Sequence, residues 1–412
     1  MPPRLYLDLS RLLFAAFNRT PVGIPRIELA YAEYLISHFP ERLQFVILDS
    51  VGRLRILGHR RATDFVNAIA RYWHADVERN QTYVSIVLRN ALLHTELLFT
   101  RRAGFAESIQ SHDGPSVYII SSQLHMERAG SIERLKAGGK LRVAYFVHDI
   151  IPTTFPEYFP PDAEERCRRR MQAAARLADI IIASSNDTAN AFLQNFARER
   201  APASIVVAPP GLSIPLASSP AEIPASSPYF VMVGTIEPRK NHLLILNLWR
   251  ALRAERVEPM PRLVLIGSRG WENENIVDML ERSPALAGVV EERGRVSDQE
   301  MTKLLLGASA LLLPSFAEGY GLPLAEALAL GVPVLCSDIP VFREVGGEMP
   351  EFIDPLDGPG WRRAILDYLP ADSIRRQAQL KRLRTWRPPT WQSHFDKVMG
   401  AIDGIGERQG SM

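Results

Sequence analysis

A chain of 412 residues is too long for one typical domain core, so two domains are the expectation. With 46% hydrophobic and 23% charged residues it has the composition of an ordinary globular protein, and a net charge of +2 argues against a nucleic-acid binder. The two cysteines, Cys167 and Cys336, lie far apart and in no ligand spacing, which argues against a disulfide framework or a zinc site and for a reducing, cytoplasmic setting.

The N-terminal MPPRLYLDLSRLLFAAF is broken by Asp8 and Arg11, which makes it a poor signal peptide. No apolar run reaches the roughly 18 residues that a membrane span needs. Short apolar runs then recur, predicting strands over 5–8, 45–48, 117–120, 142–147, 180–183 and 205–208. A second series falls at 229–233, 263–266, 289–292, 310–313 and 334–336. Strands apolar throughout and spaced by helical segments indicate parallel sheets covered on both faces. Two such series predict two doubly wound α/β domains.

Between the first two strands and the third lies a stretch rich in arginine, with Arg53, Arg55, Arg60, Arg61, Arg71, Arg101 and Arg102 among large apolar residues. It reads either as solvated helix faces or as a surface that meets a membrane or an acceptor. The stretch 209–228, PPGLSIPLASSPAEIPASSP, lacks helical period and reads as a linker. A second break, WRPPT at 386–390, precedes a helical segment from Trp391. The expected domains are 1–212, a linker over 213–228, a second domain over 229–386 and a C-terminal helix over 387–412.

The sharpest local signal is SFAEGYGLPLAEALALGVPV at 315–334. A strand ends at Pro314, and a loop with Gly319 and Gly321 follows. Pro323 suits the first turn of a helix and Gly331 its end. Free amides at such a helix start, with the positive end of its dipole, suit a diphosphate. Glu318 and Glu326, with seven residues between them, flank that anion site, and carboxylates there accept hydrogen bonds from sugar or ribose hydroxyls.

This motif resembles the signature of retaining glycosyltransferase family 4, of GT-B fold. Three more motifs resemble the family in the same order. VGTIEPRKN at 233–241 follows the first strand of the second half, GRVSD at 294–298 precedes a helix, and VHDIIPTTFPEYF at 147–159 carries a histidine at a strand end. The WRPPTW…F pattern resembles the segment that returns to the N-terminal domain. There are two departures. Thr235 stands where many relatives have arginine, and Gly23 in TPVGIPRIE stands alone where many have a glycine pair.

The resemblance implies two Rossmann-like domains facing a central cleft and a hexosyl or deoxyhexosyl transfer from a nucleoside diphosphate sugar to a saccharide or lipid-linked saccharide. Retention at the anomeric carbon, no metal and no cofactor are implied with it. Arg239 and Lys240 would meet the donor diphosphate, His148 and Glu318 the sugar, and Glu326 the ribose. Gly23, Val296, Gly319, Tyr320, Gly321 and Leu322 would line the nucleotide site. The GTIEPRKN form resembles bacterial mannosyl- and rhamnosyltransferases of polysaccharide assembly, which favours GDP-mannose. A cytoplasmic enzyme is expected, in peripheral contact with the membrane if the arginine-rich stretch docks there. A non-catalytic nucleotide-sugar-binding scaffold and a sugar-nucleotide epimerase are the rival readings.

Overall fold

The structure is a computed structural model that describes residues 2–17, 23–49, 53–74, 83–91, 93, 104–123, 126, 130–197, 202, 204–213 and 228–407. Most of the expected linker, Arg101, Arg102 and the residues just before Gly23 lie outside these. The chain divides into two compact units. Unit 1 holds Met1–Ile150, Glu165–Pro210 and Trp391–Met412, and unit 2 holds Ile151–Glu164 and Gly211–Thr390. The expected first domain, 1–212, is therefore not one contiguous unit, because the segment after the histidine strand belongs to unit 2.

Unit 1 is built on β1 (Arg4–Asp8), β2 (Leu43–Leu48), β3 (Leu54–Leu57), β4 (Ser116–Ile120), β5 (Leu141–Val147), β6 (Ile180–Ala183) and β7 (Ser204–Val207). They form one sheet in the order β3-β2-β1-β4-β5-β6-β7. Every pairing is parallel except that of β2 with β3. Side chains alternate across a strand, and here both faces are dry. Leu5 and Leu7 of β1 enter one buried cluster while Tyr6 enters the other. Such strands need helices on both sides, which the intervening segments supply. The arginine-rich stretch, expected as helices, opens with the edge strand β3 and continues as the helices His59–His74 and 83–91.

The helix Trp391–Glu407 completes unit 1. Phe395, Val398, Met399 and Ile402 join the cluster on one face of the sheet. Phe395 stacks on Tyr34 with ring centroids 3.8 Å apart, and His394 Nε2 meets the Tyr31 hydroxyl at 2.8 Å. The sequence motif WRPPTW…F thus ends in an aromatic anchor on the helix Ile24–His38.

Unit 2 carries β8 (Tyr229–Val233), β9 (Arg262–Ile266), β10 (Val290–Gly294), β11 (Ala310–Leu313), β12 (Val334–Ser337) and β13 (Glu351–Ile353). All are parallel, in the order β10-β9-β8-β11-β12-β13. The first strand lies at the centre, with its successors to one side and β11 to the other. The strand order reverses between β8 and β11, and ligands of open α/β sheets bind outside the carboxyl ends of the strands at such a point.

Candidate functional site

Beyond β8 the chain turns at Gly234, whose φ of 146° is open to glycine. A Cβ there would stand 3.3 Å from Cε of Lys240, so the bare backbone is what lets the lysine fold back over the strand end. A short 3-10 turn, Pro238–Lys240, then delivers Arg239 and Lys240 side by side. Asn241 closes it in the left-handed region at φ 56°, a conformation asparagine tolerates, and the helix His242–Ala254 begins.

Beyond β11 the loop 314–321 runs to the helix Leu322–Ala329. Gly321 caps it at φ 87°, and a Cβ there would come within 2.7 Å of the Phe342 ring. Pro323 sits in the first turn, as the sequence implies. The amides of the helix start therefore open at the end of β11, next to the strand that carries the two cations.

The two loops are joined by charge. Arg239 Nη1 donates to Glu318 Oε2 at 2.8 Å and to the Ala317 carbonyl at 2.7 Å. Lys240 Nζ donates to Glu318 Oε1, and the Ser315 hydroxyl donates to that same oxygen at 2.8 Å. Arg239 Nη2 lies 2.5 Å from Glu237 Oε1. The Phe316 amide donates to the Arg239 carbonyl at 2.9 Å, tying the backbones as well. Burial alone would raise the Glu318 carboxyl, but Arg239 and Lys240 bring it down to about 2. Burial lowers the Lys240 ammonium against the opposing pull of Glu318. Glu237 is raised by burial, with both cations working against the shift.

Glu326 lies in the second turn of the same helix and is buried. Tyr320 is buried as well, while Gly319 and Leu322 keep partial exposure. Val296 follows β10, two strands away from β8, and packs on the cluster under the glycine-rich loop. Unit 2 thus gathers Arg239, Lys240, Glu318, Gly319, Tyr320, Gly321, Leu322 and Glu326 at its switch point, with Val296 to one side.

His148 and Gly23 belong to unit 1. Gly23 caps the helix Ile24–His38 at φ 57° with open space around it. His148 follows β5 and is 7% exposed. Its Nε2 meets the Ser121 carbonyl at 2.7 Å. A carbonyl only accepts, so Nε2 carries the proton and Nδ1 offers a lone pair. Burial brings its pKa down to about 3, which keeps the ring neutral.

Three partners of this site escaped the sequence reading. Glu237 and Ser315 hold the charged groups, and both stand inside the motifs already singled out. Tyr158 stacks on Phe316 with centroids 5.5 Å apart and planes at 8°, and its carbonyl accepts the Trp271 indole N–H at 2.9 Å. Nothing in the sequence links 158 to 316, because the contact depends on the segment Ile151–Glu164 joining unit 2.

Residues 215–349 match the family described as glycosyl transferases group 1. An O-antigen chain mannosyltransferase B of Escherichia coli is 31% identical over 269 residues, which cover 62% of this chain and 68% of that protein. A serotype-specific mannosyltransferase WbdA of Escherichia coli is 28% identical over 245 residues, 56% of this chain and 30% of that protein. HepE of Anabaena, solved in complex with UDP, aligns over 100% of both chains with a TM-score of 0.60 at 15% identity. A sucrose-phosphate synthase of Thermosynechococcus elongatus aligns over 99% of both with a TM-score of 0.61 at 16% identity. At such identities the likeness speaks for the fold alone, and that fold is GT-B. Family match, mannosyltransferase relatives and fold agree, and the chain belongs to the group 1 glycosyltransferases and is an enzyme of that class.

Proposed function

We propose that the enzyme transfers a mannosyl group from GDP-mannose to a hydroxyl of a saccharide or lipid-linked saccharide, in the cytoplasm, during assembly of an O-antigen-like polysaccharide. The observation that carries this reading is the meeting of Arg239, Lys240 and the helix start at Gly321–Leu322 at the end of β8 and β11. A diphosphate leaving group develops charge as the C1–O bond breaks, and two cations with a helix N-terminus stabilise it. The names of the relatives support mannose and O-antigen.

In the proposed reaction the bond from the anomeric carbon to the diphosphate breaks while the acceptor oxygen bonds to the same face. The acceptor proton passes to the departing phosphate oxygen, so charge and atoms balance and configuration is retained. Arg239 and Lys240 hold the diphosphate, the amides after Gly321 add donors, and Glu326 takes the ribose. Glu318 takes a sugar hydroxyl, and neutral His148 accepts another at Nδ1. Gly23, Val296, Gly319, Tyr320 and Leu322 line the nucleotide and phosphate. No metal is required in this scheme.

Peripheral contact with an anionic membrane surface belongs to the same reading. Phe14 is 71% exposed and Leu88 59%, and Tyr83, Val84 and Val87 share the open face of the helix 83–91. Asn90 of that helix donates to the Leu13 carbonyl at 2.9 Å, so Phe14 adjoins it. Arg60, Arg61 and Arg71 are exposed on His59–His74 beside it. Apolar side chains flanked by arginines are the chemistry of an interfacial helix.

The test is direct. GDP, UDP and dTDP are compared by thermal shift, since a ligand that binds only the folded state raises its apparent stability. GDP-mannose is then incubated with a mannosylated acceptor, and the anomeric configuration of the product is read by NMR. A GDP-selective shift and an α-linked product are expected. A shift with UDP alone overturns the donor, an inverted product overturns retention, and interconversion of donors without transfer overturns the reaction.

A further inference from the structure

The switch point of unit 1, between β1 and β4, holds two carboxyl groups in unequal surroundings. Asp8 ends β1 and Glu28 lies in the second turn of Ile24–His38, and each is 1% exposed. Asp8 has a donor on each oxygen. The Ser10 amide donates to Oδ1 at 2.8 Å, and the Tyr118 hydroxyl donates to Oδ2. Glu28 has none. Both of its oxygens are buried without a hydrogen-bond partner, as are the hydroxyls of Ser121 and Ser122 just past β4.

An ionised carboxylate buried without donors is costly, and two carboxyls that face each other do not both ionise. The bare one, Glu28, keeps the proton. The charged and polar neighbours of Glu28 are Asp8 from β1, Arg11 from the helix Ser10–Ala15 and Ser122 after β4, with Arg170 from Ala163–Leu177 acting on Arg11 in turn. Burial pushes the Glu28 carboxyl well up and Asp8 adds to it, while Arg11 and Ser122 oppose. A protonated Glu28 has a proton to give, and Ser122 beside it has an unused oxygen. The next residue back, Ser121, holds His148 through its carbonyl.

We propose that Glu28 is a positioning residue which works in its protonated form, fixing the Ser121–Ser122 turn so that the Ser121 carbonyl holds His148 as the Nε2–H tautomer with Nδ1 presented to substrate. Its catalytic consequence rests on the reading that His148 meets a sugar hydroxyl. A Gln in place of Glu28 reproduces the protonated acid, whereas Ala leaves the turn without its donor.

The experiment pairs spectroscopy with kinetics on the full chain. The carboxyl of Glu28 is followed by ¹³C NMR and the ring nitrogens of His148 by ¹⁵N NMR, in the wild type, Glu28→Gln and Glu28→Ala. A Glu28 carboxyl still neutral at pH 7, and a single His148 tautomer in wild type and Glu28→Gln that becomes mixed in Glu28→Ala, are expected. An alkaline limb of kcat should be present in the wild type and absent in Glu28→Gln. Glu28→Ala should lose roughly tenfold or more in kcat, the scale of misplacing a contact group. An ionised Glu28 at pH 7, or a His148 tautomer indifferent to all substitutions, overturns the proposal; if Glu28→Ala does not fold, the carboxyl titration and the pH profile of Glu28→Gln still decide. His148→Ala is the separate control. Full activity there sinks the role given to His148 while the ¹³C and ¹⁵N readings still judge Glu28.

Discussion

Arg239 Nη1 stands 2.8 Å from Glu318 Oε2, so the cation assigned to the donor diphosphate is already neutralised by the carboxylate assigned to the donor sugar. Lys240 grips the other oxygen. With its carboxyl brought down to about 2, Glu318 stays ionised and paired across the working pH range. A diphosphate that takes Arg239 and Lys240 must displace this carboxylate, which then becomes available to a sugar hydroxyl. Glu318→Gln should therefore do two opposite things. Turnover falls, while the bare nucleoside diphosphate binds more tightly, by about 1–2 kcal/mol for the loss of a competing charge-assisted bond. Calorimetric titration with GDP reads the sign, and an affinity that falls in the mutant refutes the exchange.

Lys240 makes the complementary case. Lys240→Ala removes the cation and leaves Glu318 on Arg239 alone. Turnover should drop by roughly 2–4 kcal/mol in activation free energy, the scale of other groups that stabilise a developing charge. Glu326→Gln should weaken nucleoside diphosphate binding by about 1–3 kcal/mol, because a charged acceptor is lost near the ribose. Activity should persist in EDTA. A full loss that manganese or magnesium restores would remove the metal-free scheme, and a Lys240→Ala enzyme of normal rate would remove the clamp.

Much of this was legible because burial writes itself into composition. Strands such as IIIA at 180–183 and ALLL at 310–313 are dry on both faces, so an apolar run locates them directly. The two strands that escaped lack that signature. β3, LRIL, is a half-buried antiparallel edge, and β13 has only three residues. Polar residues of VEERG likewise blur the ends of the edge strand β10. At the site, the basic pair and the carboxylates could be read from their motifs. Their mutual pairing could not, since Lys240 and Glu318 are 78 residues apart and meet only because β8 and β11 are neighbours. The Asp8–Glu28 pair is more hidden still: Asp8 breaks the first apolar run and Glu28 closes TPVGIPRIE, but nothing in the sequence brings positions 8 and 28 together.

Membrane contact is open to a simple measurement. If the face built from Phe14, Tyr83, Val84, Val87 and Leu88 docks on lipid, the chain should co-sediment with vesicles containing anionic lipid and less with neutral ones. The preference should fade as salt screens the arginines, within a Debye length of roughly 8 Å at physiological ionic strength. Val84→Glu with Leu88→Glu should abolish binding and leave transfer to a soluble acceptor intact. Equal binding to neutral and anionic vesicles at low salt argues against it.

Two histidines of unit 1, His148 and His394, are buried. His394 presents Nδ1 to the carbonyls of Ala208 and Pro209 at 3.0 and 3.1 Å, so Nδ1 carries the proton and Nε2 accepts from Tyr31. Burial brings His394 to about 4 and His148 to about 3. Both values lie below the ordinary histidine pKa, so the unfolded chain takes up protons first as pH falls. Their contribution to stability is thus present above about pH 6.5 and lost as pH drops from there toward the folded values, roughly 2 kcal/mol each by pH 5. Glu28 acts in the opposite sense, since its raised carboxyl favours the fold at low pH. Replacing His394 by Gln keeps a donor for the carbonyls and removes one titration. The Tm of that variant should fall less steeply between pH 6.5 and pH 5 than that of the wild type, whatever its value at pH 7. Parallel curves would mean that His394 is already charged in the fold, and that the anchor of the C-terminal helix is not the neutral ring the geometry requires.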